Sequence, residues 1–155
     1  MTTTTTPELV HGSFTIERTY PVPVERVWAA HANTDERTHW FGAEDTFDID
    51  EASHDFRSGG LAVEDGKWHG GPRSRYVARY SDLVENQRIV HTYDMWIDHA
   101  YLSTSLVTTT FEEVEGGTRL TYTEQGVYAG GQEDITSREG GCAGILDQLG
   151  AYLTR

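Results

Sequence analysis

The segment "RIVHTYDMW", residues 88–96, alternates its side chains with the period of a β-strand. One face carries His91 and Tyr93 between Ile89 and Met95, and the charge of Asp94 on the other face indicates that the first set points inward. An imidazole and a phenol that face inward can bind a polar group of a small molecule or move a proton. We therefore predict that His91 and Tyr93 face an internal site.

The segment "TRLTYTEQ", residues 118–125, places Leu120, Tyr122 and Glu124 on one face in the same way. An ionised carboxylate is rarely buried without a partner. The alternative for Glu124 is that its side chain reaches solvent, since it lies near a strand end. We predict that Tyr122 and Glu124 converge with His91 and Tyr93 on one cavity. The alternative is that these side chains fill the core, with their hydroxyls bonded to backbone or water.

Further residues are candidates for the wall of this cavity. Tyr76 lies on the preceding strand, Trp40 and Phe41 form an aromatic pair that would shape an entrance, and Cys142 lies on the apolar stripe of the last helix. An aromatic surface with a few polar groups is typical of a small-molecule pocket. The predicted ligand-binding residues are Trp40, Phe41, Tyr76, His91, Tyr93, Tyr122, Glu124 and Cys142.

Other kinds of chemistry find little support in the sequence. The 7 histidines form no compact ligand pair, and a single cysteine excludes a thiolate metal cluster. Cys142 has no flanking signature of a catalytic thiol, and the glycine pairs resemble turns rather than a phosphate-binding loop. We predict neither a metal site nor a cofactor.

The elements that position these residues follow from the periodicity. A strand that ends at Tyr20 precedes a helix with Val24, Val27, Trp28 and His31 on one face, and a second short helical turn follows. Period two then recurs in about six segments between residues 46 and 126, separated by turn residues, and the helical period returns from Gln132. Short hairpins join antiparallel neighbours. The prediction is an α+β fold in which a curved antiparallel sheet of about seven strands wraps around a long C-terminal helix.

That last helix contains Gly140, Gly141, Gly144 and Gly150. Each glycine inside a helix costs roughly 1 kcal/mol relative to alanine, so the lack of side chains should have a compensating use. We predict that the glycines leave room between the helix and the sheet.

Length and composition limit the class of protein. The chain of 155 residues fits one domain, predicted at residues 13–155 after a flexible tail at residues 1–12. The net charge of −13 disfavours nucleic acid and anionic bilayers as partners, and no segment is apolar enough for membrane insertion. The single cysteine and the polar N-terminus favour a cytoplasmic location.

The order of elements and several strings resemble the START-like superfamily, also called SRPBCC, and within it the family of activators of the heat shock protein 90 ATPase. The strings are "FTIERTYPVPVERVWAAHANTDERTHWFG", "SLVTTTFEEVEGGTRLTYTEQG" and "GCAGILDQLGAYL", and the resemblance extends from Phe14 to Leu153. It implies a helix-grip fold with an apolar cavity between sheet and helix, and a role in stress response. The family commonly has tryptophan where this chain has Cys142, which implies a larger space here.

The leading functional hypothesis is a domain that binds an apolar or aromatic small molecule in this cavity. The alternative is an enzyme of the aromatase or cyclase kind, with His91 or Glu124 moving protons. The resemblance also suggests a co-chaperone contact with heat shock protein 90, and a homodimer is a further expectation. Superfamily membership supports the fold better than the function.

Overall fold

The computed structural model describes residues 6–42, 45–130 and 132–155. Strands and helices follow one another in the predicted order of strand, two short helices, six strands and long helix. The elements are β1 (Leu9–Tyr20), α1 (Val24–Ala32), α2 (Thr34–Thr38), β2 (Phe47–His54), β3 (Leu61–Trp68), β4 (Arg73–Val84), β5 (Arg88–Ile97), β6 (Ala100–Val114), β7 (Gly117–Ala129) and α3 (Gln132–Leu153).

The strands form one curved antiparallel sheet in the order β1-β7-β6-β5-β4-β3-β2. Consecutive strands from β2 to β7 pair with one another, and β1 joins the far edge by pairing with β7 from Leu9↔Ala129 to Tyr20↔Thr118. Because every pair is antiparallel, one face can be buried while the other meets water. The helix-grip fold predicted from the sequence is confirmed.

The inward faces of the strands agree with the alternation in the sequence. Val107, Phe111 and Leu120 are buried, and Ile89 and Tyr93 are buried on β5. Trp28 of α1 is also buried and contacts the Phe111 ring edge-on, with centroids 5.4 Å apart. The register between β4 and β5 shifts after Tyr80. The preceding pairs, Tyr76↔Met95 and Tyr80↔His91, lie on the cavity side and keep their alternation.

The boundary predicted between a flexible tail and the domain needs correction. Residues 9–12 belong to β1, where Leu9 pairs with Ala129 and Gly12 pairs with Gly126. Gly12 also faces α3, since a side chain at this position would meet Ile135. The sequence missed this start because Gly12 interrupts the apolar alternation, although close packing against the helix requires a glycine there.

Helix α3 packs against β1, β7 and α1. Its C-terminal half is fixed by buried Leu146, Leu149 and Leu153, and the Tyr20 hydroxyl donates a 2.8 Å hydrogen bond to the Leu146 carbonyl oxygen. Gly150 lets the helix approach closely here, because a Cβ at this position would lie 3.1 Å from the Tyr20 ring. A Cβ at Gly140, Gly141 or Gly144 would instead meet no atom within 4 Å.

Candidate functional site

A cavity of about 520 Å³ lies between the sheet and α3. Its wall is mostly aromatic and draws on both layers of the fold. All of the predicted site residues except Glu124 line it, namely Trp40, Phe41, Tyr76, His91, Tyr93, Tyr122 and Cys142. Residues from α1 and α2, such as His31 and Arg37, also contribute to the wall.

Strand alternation builds the aromatic floor of the cavity. Tyr76 and Tyr80 project from β4 beside His91 and Tyr93 of β5. The ring centroids of Tyr76 and Tyr93 are 5.1 Å apart, and those of Tyr76 and Phe41 are 5.2 Å apart. Rings at these separations support one another in fixed positions. The floor is therefore a preformed surface suited to a flat apolar molecule.

Two of the α3 glycines lie over this floor. Gly141 and Gly144 line the cavity beside Cys142, and a Cβ at either glycine would meet no atom within 4 Å. A larger residue at these positions would project into free space. The glycine-rich segment thus leaves room above the sheet.

Glu124 lies beneath the floor rather than on the cavity wall, and it has no exposed surface. Its Oε1 accepts hydrogen bonds from the hydroxyls of Tyr93 and Tyr122, both at 2.7 Å. Its Oε2 accepts from Ser105 and Tyr128, both at 2.8 Å. These four donors satisfy the hydrogen-bonding capacity of the buried carboxylate. The alternative that Glu124 reaches solvent near the strand end is wrong.

Arg138 of α3 completes this cluster and was not predicted from the sequence. One guanidinium nitrogen lies 3.6 Å from Glu124 Oε2 and donates to Tyr93 Oη at 3.0 Å, while another donates to Ser103 at 2.8 Å. Its side chain is 12% exposed and lines the cavity. The available signal was its position four residues before Cys142, which places both side chains on the same helix face.

The histidines of the cavity are neutral. Burial lowers the pKa of His91 to about 3, with the positive charges of Arg37 and a protonated His31 acting in the same direction. Burial also lowers the pKa of His31 to about 4, although its Nδ1 lies 2.9 Å from the Val27 carbonyl oxygen. The His91 ring makes no hydrogen bond to another described residue, and its Nδ1 is fully enclosed. His91 therefore lacks the orienting partner that a catalytic base ordinarily has.

Cys142 is placed for packing rather than for nucleophilic attack. Its Sγ lies 3.6 Å from Tyr122 Oη and 3.7 Å from Glu124 Oε1. Burial raises the pKa of the thiol to about 12, and the negative charge of Glu124 acts in the same direction. The reactive thiolate is accordingly disfavoured at neutral pH.

The α2 side of the cavity carries two charged residues. The Arg37 guanidinium lies 3.8 Å from the centre of the Phe41 ring, and burial raises the pKa of Glu64. A smaller cavity of about 330 Å³ lies next to the first and shares Arg37, Phe41, Phe47 and Glu64 with it. These four side chains therefore border both spaces.

Two further observations bear on the class of site. Among the described residues, no group of three or more His, Cys, Asp or Glu side chains could hold a metal ion. In the same part of the chain, none of the helices combines the length and the hydrophobicity needed to cross a bilayer. The absence of nucleic-acid binding stays a prediction from the net charge of −13.

Comparison with known proteins identifies similar chains. The family model described as "Activator of Hsp90 ATPase homolog 1-like protein" matches residues 21–154. The crystal structure of Mll3558 from Rhizobium loti is 40% identical with a TM-score of 0.84, and the match covers 94% of this chain and 99% of that one. A protein from Rhizobium leguminosarum is 32% identical with a TM-score of 0.90, and the match covers 97% and 99% of the two chains.

A more distant likeness concerns the fold alone. DynU16, a protein in the dynemicin biosynthetic locus, is 16% identical with a TM-score of 0.67, and the match covers 92% of this chain and 47% of that one. No curated protein matched the chain. The resemblance to START-like proteins that the sequence suggested is confirmed.

Proposed function

We propose that this chain, which belongs to the Activator of Hsp90 ATPase homolog 1-like family, binds a largely apolar small molecule between its sheet and α3. START-like folds commonly bind hydrophobic ligands, which supports the class of function but does not identify a ligand. The observation that carries the proposal is the aromatic cavity of about 520 Å³. Its size lies within the range of about 300 to 1,000 Å³ that small-molecule sites occupy.

The contrast between the helical glycines supports a cavity that is kept open. Gly150 allows close packing against Tyr20, whereas Gly141 and Gly144 border free space. A helix optimised only for stability would carry alanine or larger residues at the two open positions. Their absence is consistent with selection for space that a ligand uses.

Proton transfer gains no comparable support. Glu124 is enclosed by hydroxyl donors, and its bonds to Tyr93 and Tyr122 place those phenols between it and the cavity. Burial raises the pKa values of Tyr93 and Tyr122 well above their ordinary value, so neither readily passes a proton onward. An aromatase or cyclase activity, and contact with heat shock protein 90, stay predictions from the resemblance.

The test is thermal stabilisation by a panel of apolar and aromatic compounds. A ligand at about one hundred times its Kd stabilises a protein by about 2.7 kcal/mol, which raises the Tm of a domain of this size by about 5 to 10 °C. We expect such a shift from at least one class of flat apolar compounds. A panel that leaves the Tm unchanged would contradict the proposal.

Two matched variants locate the binding site. Gly144 lines the cavity and Gly140 does not, although both lie on α3 and a Cβ at either position would meet no atom within 4 Å. We expect Gly144→Trp to abolish the ligand-induced shift, because the indole enters the cavity. Gly140→Trp should keep the shift. Equal behaviour of the two variants would place the compound elsewhere.

A further inference from the structure

The hydrogen bonds around Glu124 restrict what the cavity can recognise. An ionised carboxylate accepts hydrogen bonds and cannot donate them. The hydroxyls of Tyr93 and Tyr122 each lie 2.7 Å from Glu124 Oε1, so each directs its only proton at that oxygen. At the cavity, both phenol oxygens are left with lone pairs alone.

Only one of these two oxygens remains available to a ligand. Tyr93 Oη also accepts a 3.0 Å hydrogen bond from Arg138, so it is engaged on both sides. The second neighbour of Tyr122 Oη is Cys142 Sγ at 3.6 Å, and a thiol is a weak donor. Tyr122 therefore presents an acceptor to the cavity that it lines.

The charge at this end of the cavity disfavours a cationic hydrogen-bond donor. Glu124 and Arg138 lie 3.6 Å apart and offset each other, and Arg138 itself lines the cavity. A cationic ligand group beside Tyr122 would meet the guanidinium, and desolvating it would be costly. A hydroxyl or an aromatic N–H can donate a hydrogen bond without that penalty.

We propose, on the basis of the proposed function, that the ligand carries a neutral hydrogen-bond donor that binds Tyr122 Oη. Glu124 imposes this preference by taking the protons of the hydroxyls around it. The part of the ligand that meets Tyr122 is therefore a phenolic hydroxyl or an aromatic N–H.

Three matched probes test this preference by isothermal titration calorimetry. They are 2-hydroxyfluorene, which donates a hydrogen bond, 2-methoxyfluorene, which only accepts, and fluorene, which does neither. One neutral hydrogen bond corresponds to about fivefold in affinity, so 2-hydroxyfluorene should bind more tightly than the other two by about that factor. Equal affinities would overturn the inference and leave the proposed function standing. Failure of all three probes, together with an unresponsive compound panel, would overturn both.

Variants attribute the preference to Tyr122. Tyr122→Phe should bring the three affinities together. The control is Tyr152→Phe, since Tyr152 does not line the cavity and its hydroxyl donates to Glu36 Oε1 at 2.8 Å, and this variant should keep the preference. A preference that survives Tyr122→Phe would overturn the assignment.

Glu124→Gln tests the origin of the preference. A carboxamide donates as well as accepts, so one surrounding hydroxyl must turn its proton away from residue 124. The advantage of 2-hydroxyfluorene should shrink to about twofold or less. An unchanged advantage in a folded Glu124→Gln protein would contradict the role of the carboxylate. Should this variant fail to fold, the comparison of Tyr122→Phe with Tyr152→Phe decides the proposal.

Discussion

At the scale of single residues, Glu124 and Arg138 position the tyrosines of the cavity, although both charged side chains are costly to bury. Glu124 is fully enclosed and the Arg138 side chain is 12% exposed. Such a pair contributes little net stability, but removing one partner leaves the other buried and uncompensated. The cluster therefore fixes the positions of Tyr93 and Tyr122 more than it stabilises the fold.

A double-mutant cycle tests this view of the pair. Glu124→Gln and Arg138→Met should each lower the free energy of unfolding by about 3 kcal/mol. The double variant should lose clearly less than the two separate losses combined, because neither charge is then left alone. Urea denaturation measures all four proteins. Additive losses would show that the two side chains act independently.

His91 makes stability depend on pH in a defined direction. The pKa of His91 is about 3 in the folded protein, below the ordinary value of 6.5, so the unfolded chain binds the proton first. Stability should therefore fall as the pH drops from about 6.5 toward 3, by at most about 1.4 kcal/mol per pH unit for this residue. His91→Phe should make the acid-side slope shallower. The exposed residue His11 supplies the control, and a slope equal in His91→Phe and His11→Phe would contradict the assignment.

At the scale of elements, α3 combines a packed half with an open half. We expect Gly144→Ala to raise the free energy of unfolding by about 0.5 to 1 kcal/mol, since its Cβ meets no atom within 4 Å and alanine favours the helix. Gly150→Ala should gain nothing or lose stability, because its Cβ would lie 3.1 Å from the Tyr20 ring. Thermal or urea unfolding of the two variants compares them directly. Equal effects would show that both halves pack alike.

The position of Cys142 allows a second test of the open half. Cys142 lines the cavity beside the open positions Gly141 and Gly144, so the indole of Cys142→Trp should turn into that space, keep the fold and the Tm, and abolish ligand binding. In a closed core the same substitution would overpack the protein and cost roughly 1 to 3 kcal/mol. A clear fall in the Tm of the ligand-free variant would defeat the cavity interpretation.

The sequence predicts the elements of this fold well because each has a strong period. Alternation along β5 and β7 predicts the faces on which the structure places His91, Tyr93, Tyr122 and Glu124. The pairing of β6 with β7 is continuous, so no bulge reverses the faces of β7. The register shift nearest His91 adds its extra residue to β4, so it leaves the faces of β5 unchanged. The start of β1 escaped prediction because Gly12 contributes no apolar side chain to the alternation. Its role depends on Ile135 from the other end of the chain.

For the molecule as a whole, the part of the site that escaped prediction depends on tertiary contacts. Alternation identifies the face of Glu124, but it does not show that Ser105 of β6 and Tyr128 of β7 converge on the same carboxylate. In the sequence alone, Arg138 resembles an ordinary exposed helix residue, because only the packing of α3 against the sheet brings it next to Glu124. The sequence does not identify the ligand either, because this fold hosts many functions.

The measurement that tests the central claim most directly is a co-crystal structure with the compound that stabilises the protein most. We predict electron density for the compound beneath α3, against the rings of Tyr76 and Tyr93, with its polar group within hydrogen-bond distance of Tyr122. Density for the compound on the outer surface, or side chains that close the space beside Cys142 and Gly144, would contradict the account.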